Sequence, residues 1–369
     1  MRRRLIATLL LLGAMVGGCD ATSPLDPIAP PQPVDSARVR IVVPEAYELA
    51  NVIVAMTAYG QSSSILVWKT GEYYARVRTA FTPFRTHASM ESLQLGQEDP
   101  IRRYYELRDN SFAYVFDADL IKRDPAYGTL WNPNAFRDQL AAVQEFADAS
   151  HFRAFYAANA AYYRAFIERY RDIAAIDSIA DWLEREFAPI RFDHYTVALS
   201  PLVYGSHSAH SVNTTYGREA IMFVSGPDIT PAAGTSAGVN QALVQRSVFT
   251  EIDHTFVNPV TNQYRSRVDG AFGTRSKWTS DGSSFYGSPV AVFNEYMTWG
   301  VFLLYIEGRV SAEDFIEVVR RTTTQMENSR AFQRFGMFAQ ELLRLYRNRP
   351  AASRVSELYP AILEWAERQ

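Results

Sequence analysis

The sequence predicts a helix-rich α+β domain, and three observations carry that expectation. The chain has 369 residues, of which 47% are hydrophobic, 13% aromatic and 21% charged, enough apolar material for a large core and too much for disorder throughout. Apolar positions recur at helical spacing across the aromatic-rich stretch 134–187 and again from Pro289 onward, whereas only a few short segments alternate or run apolar as strands do. No internal repeat is present, and no Pro/Gly/Ser linker follows residue 37, so the body of the chain reads as a single domain of about 330 residues, in one or two lobes.

The elements follow in order. Arg2, Arg3 and Arg4 precede the apolar run Leu5 to Val16, the charged and apolar regions of an export signal, too short to span a bilayer core of roughly 30 Å. The run ends Val16-Gly17-Gly18-Cys19, and Cys19 is the only cysteine of the chain. Small residues before a lone cysteine resemble the lipobox cleaved by bacterial lipoprotein signal peptidase, so residues 1–18 read as a lipoprotein signal peptide and Cys19 as the lipidated first residue of the mature chain. Residues 19–37 hold Pro24, Pro27, Pro30, Pro31 and Pro33 and read as an extended tether. The domain proper is expected over 38–369, on a protein anchored by lipid in the bacterial envelope and facing the periplasm or the exterior.

Within that domain, Arg38 to Val43 alternates as a strand and Glu45 to Tyr59 is apolar at helical spacing. The helices of 134–187 are broken near Asp148 and Asp177. Arg191 to Ser200 and Glu219 to Val224 read as strands, the second closed by Ser225-Gly226-Pro227. A helix is expected from about Val239 to Val257, and four more over roughly 289–306, 311–327, 331–346 and 353–367. Formal net charge is −3, without the basic footprint of a nucleic-acid partner. Removing residues 1–18 takes away three arginines and leaves 34 basic residues against 40 acidic, so lipid rather than charge must supply membrane attachment.

The residues that carry chemistry lie in Phe249-Thr250-Glu251-Ile252-Asp253-His254-Thr255-Phe256-Val257-Asn258-Pro259. A zincin helix presents His-Glu-x-x-His because residues four apart share a face, so two imidazoles hold one zinc while the glutamate activates the metal-bound water. Here Glu251 and His254 supply the second half of the motif, and Thr250 stands where the first histidine would be. Glu295 follows 41 residues after His254 in the next long helical pattern, a plausible distance for a third ligand.

This segment is similar to the active-site helix of a group of bacterial secreted proteins and lipoproteins regarded as gluzincin-type zinc metallopeptidases, which reads like His-Glu-Phe-x-His-Ser-Phe-Val-Asn-Pro. The likeness extends over approximately residues 38–367 and includes Phe81-Thr82-Pro83-Phe84-Arg85-Thr86-His87, Val197-Ala198-Leu199-Ser200-Pro201-Leu202, Tyr346-Arg347-Asn348-Arg349 and Leu358-Tyr359-Pro360. It implies a zincin-like (gluzincin) metallopeptidase fold with a small sheet before the active-site helix. It also implies Glu251 as general base, His254 and Glu295 as metal ligands, and zinc polarising a scissile carbonyl if the protein is active.

The departure at Thr250 leaves two protein ligands where catalytic zinc sites use three, and a neutral hydroxyl is a poor substitute. His207 and His210, between the two later predicted strands, are possible replacement ligands, although their Ser, Asn and Thr neighbours favour two exposed loop histidines. Asp253 stands beside His254 either as a partner for it or on a solvated helix edge. The expectation is a metallopeptidase-like envelope protein with an incomplete zinc site, the alternatives being a zinc peptidase with a replacement ligand or a non-catalytic module or scaffold that binds a peptide, a protein or the envelope.

For Cys19, the expected outcome is added acyl mass on the membrane-extracted mature protein and retention of residues 1–18 in Cys19→Ser. Normal processing of Cys19→Ser, read by intact mass, would overturn the lipoprotein assignment.

Overall fold

In the computed structural model, which describes residues 37–92, 99–226, 234–282 and 284–369, a four-stranded sheet and a layer of long helices enclose the core. The signal sequence, Cys19 and all of the tether except Ala37 lie outside the described residues. Strand β1 (Val39–Val42) leads into α1 (Glu45–Met56). The apolar pattern that predicts one helix to Tyr59 is divided at Thr57, whose backbone is extended; its N–H donates to Ile53 and Val54 carbonyls, and its hydroxyl accepts from Gly60 N–H. One residue thus ends α1 and caps α2 (Ala58–Ser62). Helices α3 (Glu72–Phe81), α4 (Ala88–Ser92) and α5 (Pro100–Ser111), then the hairpin β2 (Tyr114–Asp117) and β3 (Leu120–Arg123), fill a region in which the periodicity had marked nothing.

The aromatic-rich stretch forms α6 (Ala135–Asp138), α7 (Leu140–Ala149), α8 (Phe152–Ala158), α9 (Ala160–Ala174) and α10 (Ile176–Glu186). Strands β4 (His194–Ser200), β5 (Ser208–Thr214) and β6 (Gly217–Ser225) complete the sheet in the order β1-β4-β6-β5. β1, β4 and β6 run parallel and β5 returns antiparallel along β6, with His210 opposite Ile221. β4 and β6 are buried almost throughout, as their continuous apolar runs require. β5 is an edge strand of sequence Ser-Ala-His-Ser-Val-Asn-Thr, partly exposed along its length, and its polarity gives it no strand signature in the sequence.

After β6 comes α11 (Ala237–Gln263), capped by the Ser236 hydroxyl on Val239 N–H. It outruns the expected 239–257 at both ends and continues through Pro259. Proline forfeits one backbone hydrogen bond there, but Val257, Val260 and Thr261 are buried on either side, so packing outweighs the lost bond. Over its 27 residues, about 40 Å, α11 packs against β5 and β6 on one side and α13 (Pro289–Ile306) on the other. α12 (Arg265–Phe272) lies between the two in sequence. α13 is buried nearly all round, and Gly300 lets α15 (Phe335–Arg347) approach: a Cβ there would stand 2.7 Å from Leu342 Cδ2. α14 (Ala312–Thr324) passes into a π turn, Gln325–Ser329, before α15, and α16 (Tyr359–Glu367) closes the chain. No helix of the described residues is long and apolar enough to cross a membrane.

One buried acid sits where α1 meets β4. Glu48 accepts from the Tyr73 hydroxyl at 2.7 Å through one oxygen, while its other oxygen has no hydrogen-bond partner. Burial raises its pKa to about 8, against the smaller opposing effect of hydrogen bonds from Ser200 and Tyr73. Below the ordinary glutamate value both states are protonated. As pH rises further the unfolded chain ionises while the folded one keeps its proton, so stability falls between about pH 4 and pH 8. Glu48→Gln removes that slope. Denaturant melts of the two proteins should diverge with pH, the variant being the more stable at pH 8 by an amount on the order of 3 kcal/mol, and parallel pH profiles would refute the assignment.

Candidate functional site

The structure brings Glu251, His254 and Glu295 together. α11 presents the first two toward α13, and His254 Nε2 lies 3.4 Å from Glu295 Oε1. The other ring nitrogen, Nδ1, is 3.4 Å from Asn258 Oδ1 and 3.4 Å from Thr298 Oγ1. Burial alone would lower the His254 pKa, but hydrogen bonding to Glu295 and the charges of Glu295, Glu251 and Asp253 outweigh it and hold it up at about 9. Glu295 moves the opposite way. Burial pushes it up, yet Arg330, His254 and a hydrogen bond from Trp299 bring it down to about 2. Glu251, with no hydrogen bond to other described residues, is raised to about 7 by burial and by Glu295, in spite of His254, Arg330 and Arg108.

Thr250 occupies the position of the first zincin histidine but is turned into its own helix. Its hydroxyl donates to the Arg246 carbonyl at 3.0 Å, with the Ser247 carbonyl at 3.4 Å. Asp253 is neither of the things expected of it. Its carboxyl is fully buried, both oxygens lack a hydrogen-bond partner, and burial raises its pKa well above the carboxylate range. It lies near Tyr359 of α16.

His207 and His210 part company. His210, on β5, places Nε2 3.0 Å from Asp109 Oδ2, an oxygen that also accepts from Trp131 Nε1 and Ser208 Oγ at 2.7 Å. The fully buried Arg108 pairs with the same carboxylate at 2.7 Å and donates to Tyr104 and Ser206, so His210 belongs to a network that ties α5 to β5. His207 has its Nε2 3.2 Å from the Tyr204 carbonyl and 3.1 Å from Ser225 Oγ. Burial lowers its pKa to about 4, with Arg108, Arg330 and Arg246 adding to the effect. It is therefore a neutral imidazole beside the same site.

Three residues not anticipated from sequence complete the surroundings. Arg330 donates to Glu295 Oε2 at 2.6 Å and to the Tyr286 hydroxyl at 2.5 Å. It is delivered by the π turn, its N–H closing on the Gln325 carbonyl at 3.0 Å, and is followed by Ala331 at φ 61°, a left-handed conformation that costs a non-glycine residue energy. Arg246 donates to Thr322 and Gln325 side chains. The guanidinium carbons of both arginines lie 4.9 Å from the centre of the Trp299 ring. Arg246 could have been found by spacing, since it stands four residues before Thr250 and eight before His254 on one helix face. Arg330 carries no such signal.

As a metal centre the arrangement is short of donors. His254 and Glu295 converge, Thr250 is engaged elsewhere, and Arg330 places a positive charge on the second oxygen of Glu295. Among the described residues no group of three His, Cys, Asp or Glu side chains is placed to hold a metal ion. The residues present do not fit a catalytic zinc, which uses three protein ligands and water.

Fold and site together define a helix-rich α+β domain with a polar site between its longest helix and the helix packed beside it. A family described as a domain of unknown function, DUF4932, matches residues 110–365, and the chain belongs to that family. No curated protein and no solved structure gave a match.

The Arg330–Glu295 pair can be tested directly. Arg330→Ala takes one of the two cations from a buried carboxylate and should cost on the order of 3 kcal/mol in denaturant melts, whereas the double change Arg330→Gln with Glu295→Gln should recover most of it. Equal losses in the single and double variants would show that the pair is not what matters there.

Proposed function

We propose that this protein is a lipid-anchored envelope protein built on a gluzincin-like peptidase frame, whose site works without zinc and holds a peptide or protein ligand rather than cleaving it. One observation carries this reading: Thr250, in the place of the first zinc histidine, spends its hydroxyl on the Arg246 carbonyl, while Arg330 neutralises Glu295, the residue in the place of the third ligand. The Glu-x-x-His helix following a sheet strand and the glutamate facing His254 from α13 support the gluzincin-like ancestry. Cys19 after its apolar run supports the anchor. The fixed charge of Arg330, 2.6 Å from Glu295, opposes a divalent cation at the same carboxylate.

Metal analysis of the purified protein tests the reading, with substoichiometric zinc expected. Thr250→His should raise zinc affinity by orders of magnitude, seen by calorimetric titration and as a zinc-dependent increase in melting temperature. Adding Glu295→Ala should abolish the gain. A parent protein that retains one zinc per chain would replace this reading with a zinc peptidase using another ligand, His207 being beside the site. If neither parent nor Thr250→His binds zinc, the zincin ancestry fails and the three residues are a structural cluster.

A further inference from the structure

Arg246 is a half-buried cation with neutral partners. Its guanidinium donates to the Thr322 hydroxyl at 3.1 Å and to the Gln325 side-chain oxygen, and it forms no ion pair with any carboxylate of the described residues. Its neighbour Arg330 takes one oxygen of Glu295, and the Nε of Arg330 is buried without a hydrogen-bond partner. Two guanidinium groups therefore share the Trp299 ring with a single ion-paired carboxylate. Burial, followed by the charge of Arg330, pulls the Arg246 pKa down to about 9. Like charges gathered at low dielectric are costly, and uncompensated ones cluster at sites that receive the opposite charge from outside.

We propose that Arg246 and Arg330 bind the free C-terminal carboxylate of a peptide, with the Trp299 ring backing the two guanidinium groups. A planar carboxylate matches the guanidinium fork, which donates two parallel hydrogen bonds where an ammonium would act only as a point charge. The site is reachable: Arg246, Glu251, His254, His207 and Arg330 are all partly exposed. His207, immediately before edge strand β5, lies within electrostatic range of both guanidinium groups. As a neutral imidazole that donates or accepts, it adds no further charge for the ligand to overcome. Glu251 and Glu295, whose charges reach Arg330, disfavour a second acidic group, so a peptide end with one carboxylate suits the site better than a polyanion.

This inference deepens the reading of the site as one that holds peptide, and its test is independent of zinc. Full-length detergent-extracted protein is titrated calorimetrically with N-acetyl-trialanine, with its C-terminal amide and with inorganic phosphate. The acid should bind at least about tenfold more tightly than the amide, as expected for a charge-assisted pair, and should weaken as salt is raised. Arg246→Gln should erase the preference, and Arg246→Lys should retain part of it. Melting curves of both variants establish that they are folded. Equal binding of acid and amide, binding of neither, or tighter binding of phosphate than of the acid would overturn the proposal. Stoichiometric zinc together with an acid preference would sink the metal-free reading and leave the arginine pair standing, while no zinc and no preference would do the reverse.

Discussion

Glu295 accepts from the Arg330 guanidinium at 2.6 Å through one oxygen and meets His254 at 3.4 Å through the other, so a single carboxylate ties together α11, α13 and the turn after α14. Each of the three elements carries a charge that would be expensive alone at that depth. An unpaired buried ion costs several kcal/mol, and its partner returns that energy only when the geometry also satisfies the remaining hydrogen-bonding groups. His254 meets this requirement through Asn258 and Thr298, and Arg330 meets part of it through Tyr286. This cluster adds a directional constraint to the apolar packing of the two long helices and holds the turn that carries Ala331.

The same residue types behave oppositely elsewhere in the molecule, and environment is the reason. Asp109 is as deeply buried as Asp253, yet Arg108 and His210 keep its pKa below the ordinary value, whereas Asp253 has no compensating partner and is raised. Glu48 resembles Asp253 in being pushed upward by burial. Desolvation pushes every one of these acids upward, and only a cation within hydrogen-bonding distance reverses it. Arg246 is the converse case, a half-buried cation opposed by another cation.

The hydroxyl of Thr250 on its own helix and Arg330 on Glu295 are consistent with each other in charge. A threonine satisfied by its own helix carries no charge and needs no metal. Arg330 then does electrostatically for Glu295 what a cation bound between the helices would do, without leaving a carboxylate bare. Membership in DUF4932 covers α11, α13 and Arg330 and leaves β1 and α1 outside the matched segment.

Local pattern located α11, α13 and the buried strands β4 and β6: run length and flanking turn residues separated the short strands from the long helices, although α11 extends beyond its expected ends. It also set Glu251, His254 and Thr250 in helical register and put Glu295 on the next long helix. It failed where the deciding partners are distant in sequence. The polar strand β5 exists because β6 offers it a hydrogen-bonding edge, and His210 is bound to a carboxylate 101 residues away. Asp253 is buried because α16 packs nearby. Arg330 reaches Glu295 because a π turn between α14 and α15 aims it there. The sequence alone determined which residues share a helix face, since that depends on neighbours three and four apart. Only the tertiary structure decided which charges meet, since the energy of a buried charge is set by whichever side chains the whole fold brings within a few ångströms of it.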